Sequence, residues 1–223
     1  MVADLISRTF ALIFAFVLFF PFVALGFDTP RANFTELSAE QKALHLLNRI
    51  TYGPRPADVE RIKRIGIERF LDEQLNASAI DDSAVEKRVA GIEIFKMDSG
   101  EVLAKYPQAN ALLRATGDQA NMPNAQATGN DTEAERRERR EKLRGLYAEY
   151  DLRQPARLQP QITANRVLRA AYSERQLQEV MVDFWQNHFN VFAGKGAVRW
   201  YIPSYERDVL RKHALGNFLE LLT

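Results

Sequence analysis

Beyond an N-terminal apolar run, hydrophobic side chains recur three and four positions apart through most of the chain, the period of amphipathic helices. Ser38-Ala39-Glu40-Gln41 reads as a capping box, in which the serine accepts from the backbone N–H three residues on. The helix behind it carries Ala43, Leu44, Leu47 and Ile50 on one stripe and stops at Gly53-Pro54. A second short helix is expected from Pro56 to Ile65, with Gly66 as its stop, and a third carries Phe70, Leu71 and Leu75. Ser83-Ala84-Val85-Glu86 reads as another capping box, opening a segment that holds Val89, Ile92 and Phe95.

The pattern breaks between Thr116 and Thr132, a stretch rich in Gly, Asn, Gln and Ala that contains Pro123 and reads as a flexible loop or insertion. Glu133 to Arg144 is a charge run with glutamate leading a cation at i,i+4 (Glu133–Arg137, Glu135–Arg139, Glu138–Lys142), which supports a solvated helix. After Pro155 and Pro160, Ile162, Val167, Leu168 and Ala171 suggest one helix. Ser173-Glu174-Arg175-Gln176 reads as a third capping box. The helix it opens is expected to put Leu177, Val180, Met181, Phe184, Trp185, His188 and Phe189 on one face. Pro203 fits the first turn of a helix through Val209 and Leu210 that Gly216 ends, and Phe218–Leu222 begins another apolar stretch. That stretch stops without a cap, so the chain is expected to be the front part of a longer protein. The fold class is therefore mainly α, an irregular multi-helix array at the front of a larger all-α protein. Its divisions are a leader over 1–26, a helical region over 27–116, a linker or insertion over 117–132 and a second helical region over 133–223.

The leader changes the picture from fold to location. Arg8 precedes a run that is apolar or small from Phe10 to Phe27, broken by Pro21, and Ala24-Leu25-Gly26 has the small-x-small form that signal peptidase reads. The expectation is a periplasmic or secreted protein delivered by the general secretory route, with an uncleaved membrane anchor as the alternative. No cysteine occurs anywhere, which excludes a lipid-bearing cysteine, disulfides, thiolate metal sites and a thiol nucleophile. A net charge of +1, with cations and anions mixed along the chain, argues against a nucleic-acid partner.

Two stretches look familiar. His45-Leu46-Leu47-Asn48-Arg49-Ile50-Thr51-Tyr52-Gly53-Pro54, followed by Ile65-Gly66-Ile67-Glu68-Arg69-Phe70-Leu71-Asp72-Glu73-Gln74-Leu75, resembles the opening of a bacterial family known as domain of unknown function 1800. The stronger block is Phe184-Trp185-Gln186-Asn187-His188-Phe189-Asn190-Val191, with Tyr205 to Phe218 following in family order. The resemblance implies a mostly helical, commonly exported protein whose members continue past this chain's end. It carries no established activity.

All three histidines, His45, His188 and His213, lie inside those blocks. His213 shares a helical stripe with Glu206, seven residues earlier. These two converging with His188 could hold a divalent metal and leave a position open for water, which makes His188, His213 and Glu206 the candidates for both metal and catalytic roles, with Asp183 a weaker one. The competing reading is structural: His188 as a buried neutral imidazole on an apolar face, and His213 as a cation near a helix C-terminus. His45, Arg49 and Tyr52 form a stripe that is either a polar recognition edge or a helix flank. Gly194-Lys195-Gly196 with Arg199 could meet an anion but lacks the form of a phosphate loop and reads as a flexible turn. Trp185, Trp200, Tyr201 and Tyr205 could line a sugar groove, though aromatics at helical spacing are more often core. No H-E-x-x-H, G-x-S-x-G or G-x-G-x-x-G occurs. Two functions follow. The preferred one is a non-catalytic module that binds or assembles with a protein or polysaccharide at the cell envelope. The alternative is a metal-assisted hydrolase acting on an envelope or environmental polymer.

Overall fold

Ser38 opens the first helix as its sequence predicts. Its Oγ accepts from Gln41 N at 3.2 Å, and Gln41 Oε1 accepts from Ser38 N at 2.8 Å. A computed structural model describes residues 36–117 and 132–223; the leader and nearly all of the 117–132 linker lie outside the described residues. Leu37–Thr223 form one compact unit, so the described parts of the two helical regions, separate along the chain, share one body. The helices are α1 Ala39–Ile50, α2 Pro56–Ile65, α3 Ile67–Leu75, α4 Ser83–Val89, α5 Ser99–Lys105, α6 Ala109–Ala115, α7 Glu133–Glu149, α8 Leu158–Tyr172, α9 Gln176–His188 and α10 Val198–Tyr205. A π-helical turn over Glu206–Leu210 joins α10 to α11 Arg211–His213, and α12 Phe218–Leu222 follows. No strand occurs among the described residues. The protein is mainly α, and none of the described helices is long and apolar enough to cross a membrane.

Four apolar clusters hold these helices. Ala43, Leu47, Ile62 and Phe70 join α1, α2 and α3. Ile94, Val102, Tyr106, Leu158, Ile162, Trp200 and Ile202 form the central cluster, in which Trp200 Nε1 donates to the Tyr106 carbonyl at 2.7 Å. Leu112, Leu113, Leu146 and Tyr147 seat α6 on α7. Val182, Leu210, Ala214 and Leu221 join α9 to the C-terminal helices. Each Val, Leu, Ile or Phe among them taken fully out of water contributes about 1.5–3 kcal/mol.

Three local expectations are corrected, each by a longer-range bond or a re-paired backbone. Ser83 is the first residue of α4 and not its cap. The preceding Asp82 is buried and turned away, its carboxylate accepting from Ser173 Oγ and from Glu174 N, both at 2.8 Å. Ser173 is thereby drawn into the α8–α9 corner, and α9 starts three residues later, at Gln176. Pro203 lies inside α10, whose start is Val198. The proline removes an intrahelical donor, and the wider π turn re-pairs the backbone just beyond it, with Arg211 N reaching Glu206 O. The charge run does form a helix, opened by a Thr132–Glu135 capping box. Arg137 pairs with Glu141 at 3.2 Å and Arg140 with Glu133 at 2.9 Å.

Gly66 both stops α2 and starts α3, at φ +91° and ψ 159°. Only glycine adopts this backbone without strain. A Cβ there would meet nothing nearer than Glu68 Oε2 at 3.8 Å, so crowding is not the issue. Gly66→Ala is expected to cost about 1–3 kcal/mol, read as a lowered urea midpoint at unchanged slope; an unchanged midpoint would contradict it.

Candidate functional site

Helix α9 carries two different stripes. Met181, Trp185 and Phe189 pack toward the C-terminal cluster, while Gln176, Glu179 and Gln186 are buried on another side and Asp183 is half-buried between them. Burying those polar groups costs free energy unless each finds a partner, and most of them do. Arg211 Nη1 and Nη2 clamp the Glu179 carboxylate at 2.7 and 2.9 Å, and Nη2 also reaches Glu206 Oε1 at 2.9 Å. Asn165 Nδ2 donates to the same Glu206 oxygen at 2.8 Å. Arg169 donates to Asn165 Oδ1 at 3.1 Å and grips both Glu86 oxygens at 2.7 and 3.1 Å. The result is one bonded ladder, Glu86–Arg169–Asn165–Glu206–Arg211–Glu179, running from α4 through α8 and the π turn to α9. Burial alone pulls the Arg211 pKa down, but its bonds to Glu179 and the charges of Glu179 and Glu206 reverse that and hold it above the ordinary arginine value. The Arg169 bond holds the Glu86 carboxyl below the ordinary glutamate range.

A cavity of about 570 Å³ opens beside this ladder, between α8, the end of α9 and α10. Gln159, Ile162 and Arg166 face it from α8, Gln186 and Asn187 from α9, Arg199 and Ile202 from α10. The loop between α9 and α10 closes it. Asn190, at φ +52°, ends α9 in a left-handed cap: Val191 N donates to Gln186 O at 3.1 Å and Asn190 N to Asn187 O at 3.0 Å. This turns the chain back over Gln186. Arg199 Nε then pins the loop by donating to Ala193 O at 3.1 Å. A Cβ on Gly194 would fall 2.5 Å from Phe192 Cε1, so the bare glycine lets the Phe192 ring lie at the rim.

The wall is not fully bonded. Among the described residues three buried side-chain atoms lack a hydrogen-bond partner: Arg166 Nη2 and Gln186 Oε1 on the wall, and Glu206 Oε2 in the ladder behind it. Arg166 stands 3.8 Å from Asp183 and 3.9 Å from Glu206, close enough for charge attraction but too far for hydrogen bonds.

The sequence-derived candidates disperse. Glu206 is 0% exposed and held by Arg211 and Asn165 rather than by an imidazole. His188 is exposed at the end of α9, stacked on Phe184 at 5.6 Å and edge-on to Trp185 at 5.5 Å, so it is not a buried imidazole. His213 is half-buried, with Nδ1 3.9 Å from Glu220. The shared Glu206–His213 stripe assumed a regular α-helix, and the π turn takes up an extra residue between them, which rotates one away from the other. Among the described residues no group of three or more His, Asp or Glu side chains could hold a metal ion. His45 and Arg49 are exposed on α1. Tyr52, in contrast, is docked on α9: its hydroxyl donates to Glu179 O at 3.2 Å and its N–H to Gln176 Oε1 at 3.3 Å. Trp200 is core, Trp185 and Tyr205 are partly buried, and Tyr201 is exposed, so these four do not make one groove.

The residues that build the site left one sequence signal, the polar stripe Gln176, Glu179, Asp183, Gln186 at spacings of three and four. It runs along a helix rich in aromatic and aliphatic residues and is hidden there by the aromatic stripe beside it.

A mainly α unit with a polar cavity over a buried ion ladder is the class that fold and geometry define. Among known families, the model described as "Protein of unknown function (DUF1800)" matches residues 45–223, and the chain belongs to that family. The match begins at His45, the first residue of the N-terminal block that resembles it. Comparison with curated proteins found no match, and comparison with solved structures found none either.

Removing Arg211 takes away the cation bonded to both buried carboxylates and leaves Arg166, 3.9 Å from Glu206 and bonded to neither, as the remaining charge beside Glu206. Arg211→Met is expected to destabilise the fold by about 3–5 kcal/mol, measured by urea denaturation; a loss under about 1 kcal/mol, the size of an exposed pair, would show the ladder to be ornamental. Tyr52 is half exposed, but burial and then the nearby Asp183 and Glu179 charges raise its pKa from the ordinary 10.0 to about 12. Because the folded value is the higher, its contribution to stability is complete below pH 10.0 and is lost as pH rises through about 12. In ¹³C-tyrosine spectra one Cζ resonance, missing from Tyr52→Phe, is expected to titrate near 12, whereas a Tyr52 signal titrating near 10.0 would refute the docking.

Proposed function

We propose that this protein is an exported binding module of the bacterial cell envelope, and that the cavity between α8, α9 and α10 takes a ligand carried on an envelope polysaccharide. The observation that carries the reading is the incomplete bonding of the cavity's own wall. Gln186 is 3% exposed with Oε1 unpartnered, and the Arg166 guanidinium stands between two carboxylates without a hydrogen bond to either. Buried polar groups in folded proteins are nearly always bonded, so a wall assembled in this way favours a guest that brings polar atoms of its own. The volume of about 570 Å³ suits a small-molecule group or one or two sugar rings. Each member of the ladder beneath is bonded to the next, Glu206 Oε2 alone staying unanswered, which gives Glu206 and Arg211 a supporting task and leaves the wall for recognition. Export is supported by the leader, with its apolar run from Phe10 and its Ala24-Leu25-Gly26 ending.

The whole protein, recovered from the periplasmic or secreted fraction of its cells and starting after Gly26, is expected to co-sediment with isolated envelope polysaccharide. Asn187 is exposed on α9 and faces the cavity, so Asn187→Trp lays an indole across it. That substitution is expected to cut retention about tenfold or more while moving Tm by no more than about 2 °C. Retention that survives Asn187→Trp, or a protein found only in the cytoplasm, sinks the reading.

A further inference from the structure

The cavity wall is charged in one sense only. Arg166 and Arg199 stand on it and no carboxylate does; the other polar groups are carboxamides, and Ile162 and Ile202 give an aliphatic floor. The two guanidiniums differ. Asp183 and Glu206 stand behind Arg166 and offset part of its charge, Glu206 being itself compensated by Arg211 and Asn165. Arg199 has no carboxylate within ion-pair distance among the described residues. Its Nε is fixed on the Ala193 carbonyl and its Cζ lies 5.7 Å from the Trp200 ring, so the bond to the loop uses one of its three nitrogens. A guanidinium held in this way is preorganised for an oxyanion, which it meets with two parallel N–H groups.

Next to that positive wall, Gln186 Oε1 is an acceptor without a donor. Its orientation is set by Nε2, which faces Val191 O at 3.4 Å; turning the amide over would oppose two oxygens. One guest satisfies both demands if it presents an oxyanion beside a hydroxyl. At the rim the Phe192 ring, 66% exposed, offers a flat apolar face against which the C–H face of a sugar ring packs.

From this arrangement we infer that the ligand is an acidic sugar: a pyranose bearing a carboxylate or a phosphate, its oxyanion on Arg199 and Arg166 and its hydroxyls on Gln186 and the neighbouring carboxamides. The inference rests on the cavity being the ligand site.

The test is a titration of the whole chain at low ionic strength with D-glucuronate, D-glucose 6-phosphate and methyl D-glucoside, read by ligand-observed NMR and calorimetry. At least one anionic sugar is expected to bind about tenfold to a hundredfold more tightly than the neutral glucoside, and which of the two does so distinguishes carboxylate from phosphate. Arg199→Gln keeps a donor for the Ala193 carbonyl and is expected to reduce that preference below about threefold, whereas Arg199→Lys, which keeps the charge, retains most of it. Equal binding of charged and neutral sugars, no binding of any of the three, or a preference indifferent to Arg199→Gln overturns the acidic-sugar assignment. The cavity reading fails separately, if Asn187→Trp leaves polysaccharide retention intact.

Discussion

The Arg211 guanidinium, clamped between Glu179 and Glu206, is the contact on which the rest of the described structure depends. Both carboxylates are buried, and Glu206 has no exposed surface at all. Ions in that position are tolerated only when geometry and bonding compensate their lost hydration. The compensation here comes from distances of 2.7–2.9 Å and from a neighbour, Asn165, that donates to the same Glu206 oxygen. Because the carboxylates and their cation lie on α9, on the π turn and on α11, meeting them sets the rotation of these elements, and Asn165 adds α8. The apolar clusters on either side leave slack in how helices slide, whereas a bidentate ion pair leaves little.

The π turn is the backbone feature that makes this meeting possible. One continuous run of helix from Val198 to His213 faces two different neighbours. Before the turn, Arg199 and Ile202 look into the cavity and Trp200 enters the central core; after it, Leu210 and Arg211 face α9. A regular helix would keep a single phase from end to end, and Glu206 would then share a stripe with His213. The extra residue taken up at Glu206–Leu210 changes the phase, which is why a carboxylate read as a metal ligand becomes the anchor of an ion ladder. π turns recur at functional sites, and this one supplies Glu206 to the ladder and follows directly on α10, which lines the cavity.

The cavity combines stiffness and incompleteness. Its floor belongs to the central core, its loop is fixed by the Asn190 cap and by Arg199, and yet Gln186 and Arg166 retain unanswered hydrogen-bonding groups. Such a wall gains more from a polar guest than a fully bonded surface would, since the groups are already desolvated and already placed.

Periodicity and punctuation by themselves determined the helical class, the family-bearing blocks and most helix boundaries, because these follow from local physics. Ser38 caps, Gly66 breaks, and the stripe Ala43–Leu47–Ile50 turns inward. Tertiary structure decided whatever rests on partners distant in sequence. Ser173 left its expected cap for Asp82, ninety-one positions away, and Tyr52 left a surface edge for Glu179. His188, placed by periodicity on a buried face, stayed outside because α9 buries its polar stripe against Arg211 and the α8 side chains. The three imidazoles stood out in the sequence because histidine is rare in it, while the cavity wall was assembled from arginine and carboxamide residues that look like ordinary surface until the fold brings them together and buries Gln186. Burial and phase, which no local pattern encodes, turned those residues into a wall.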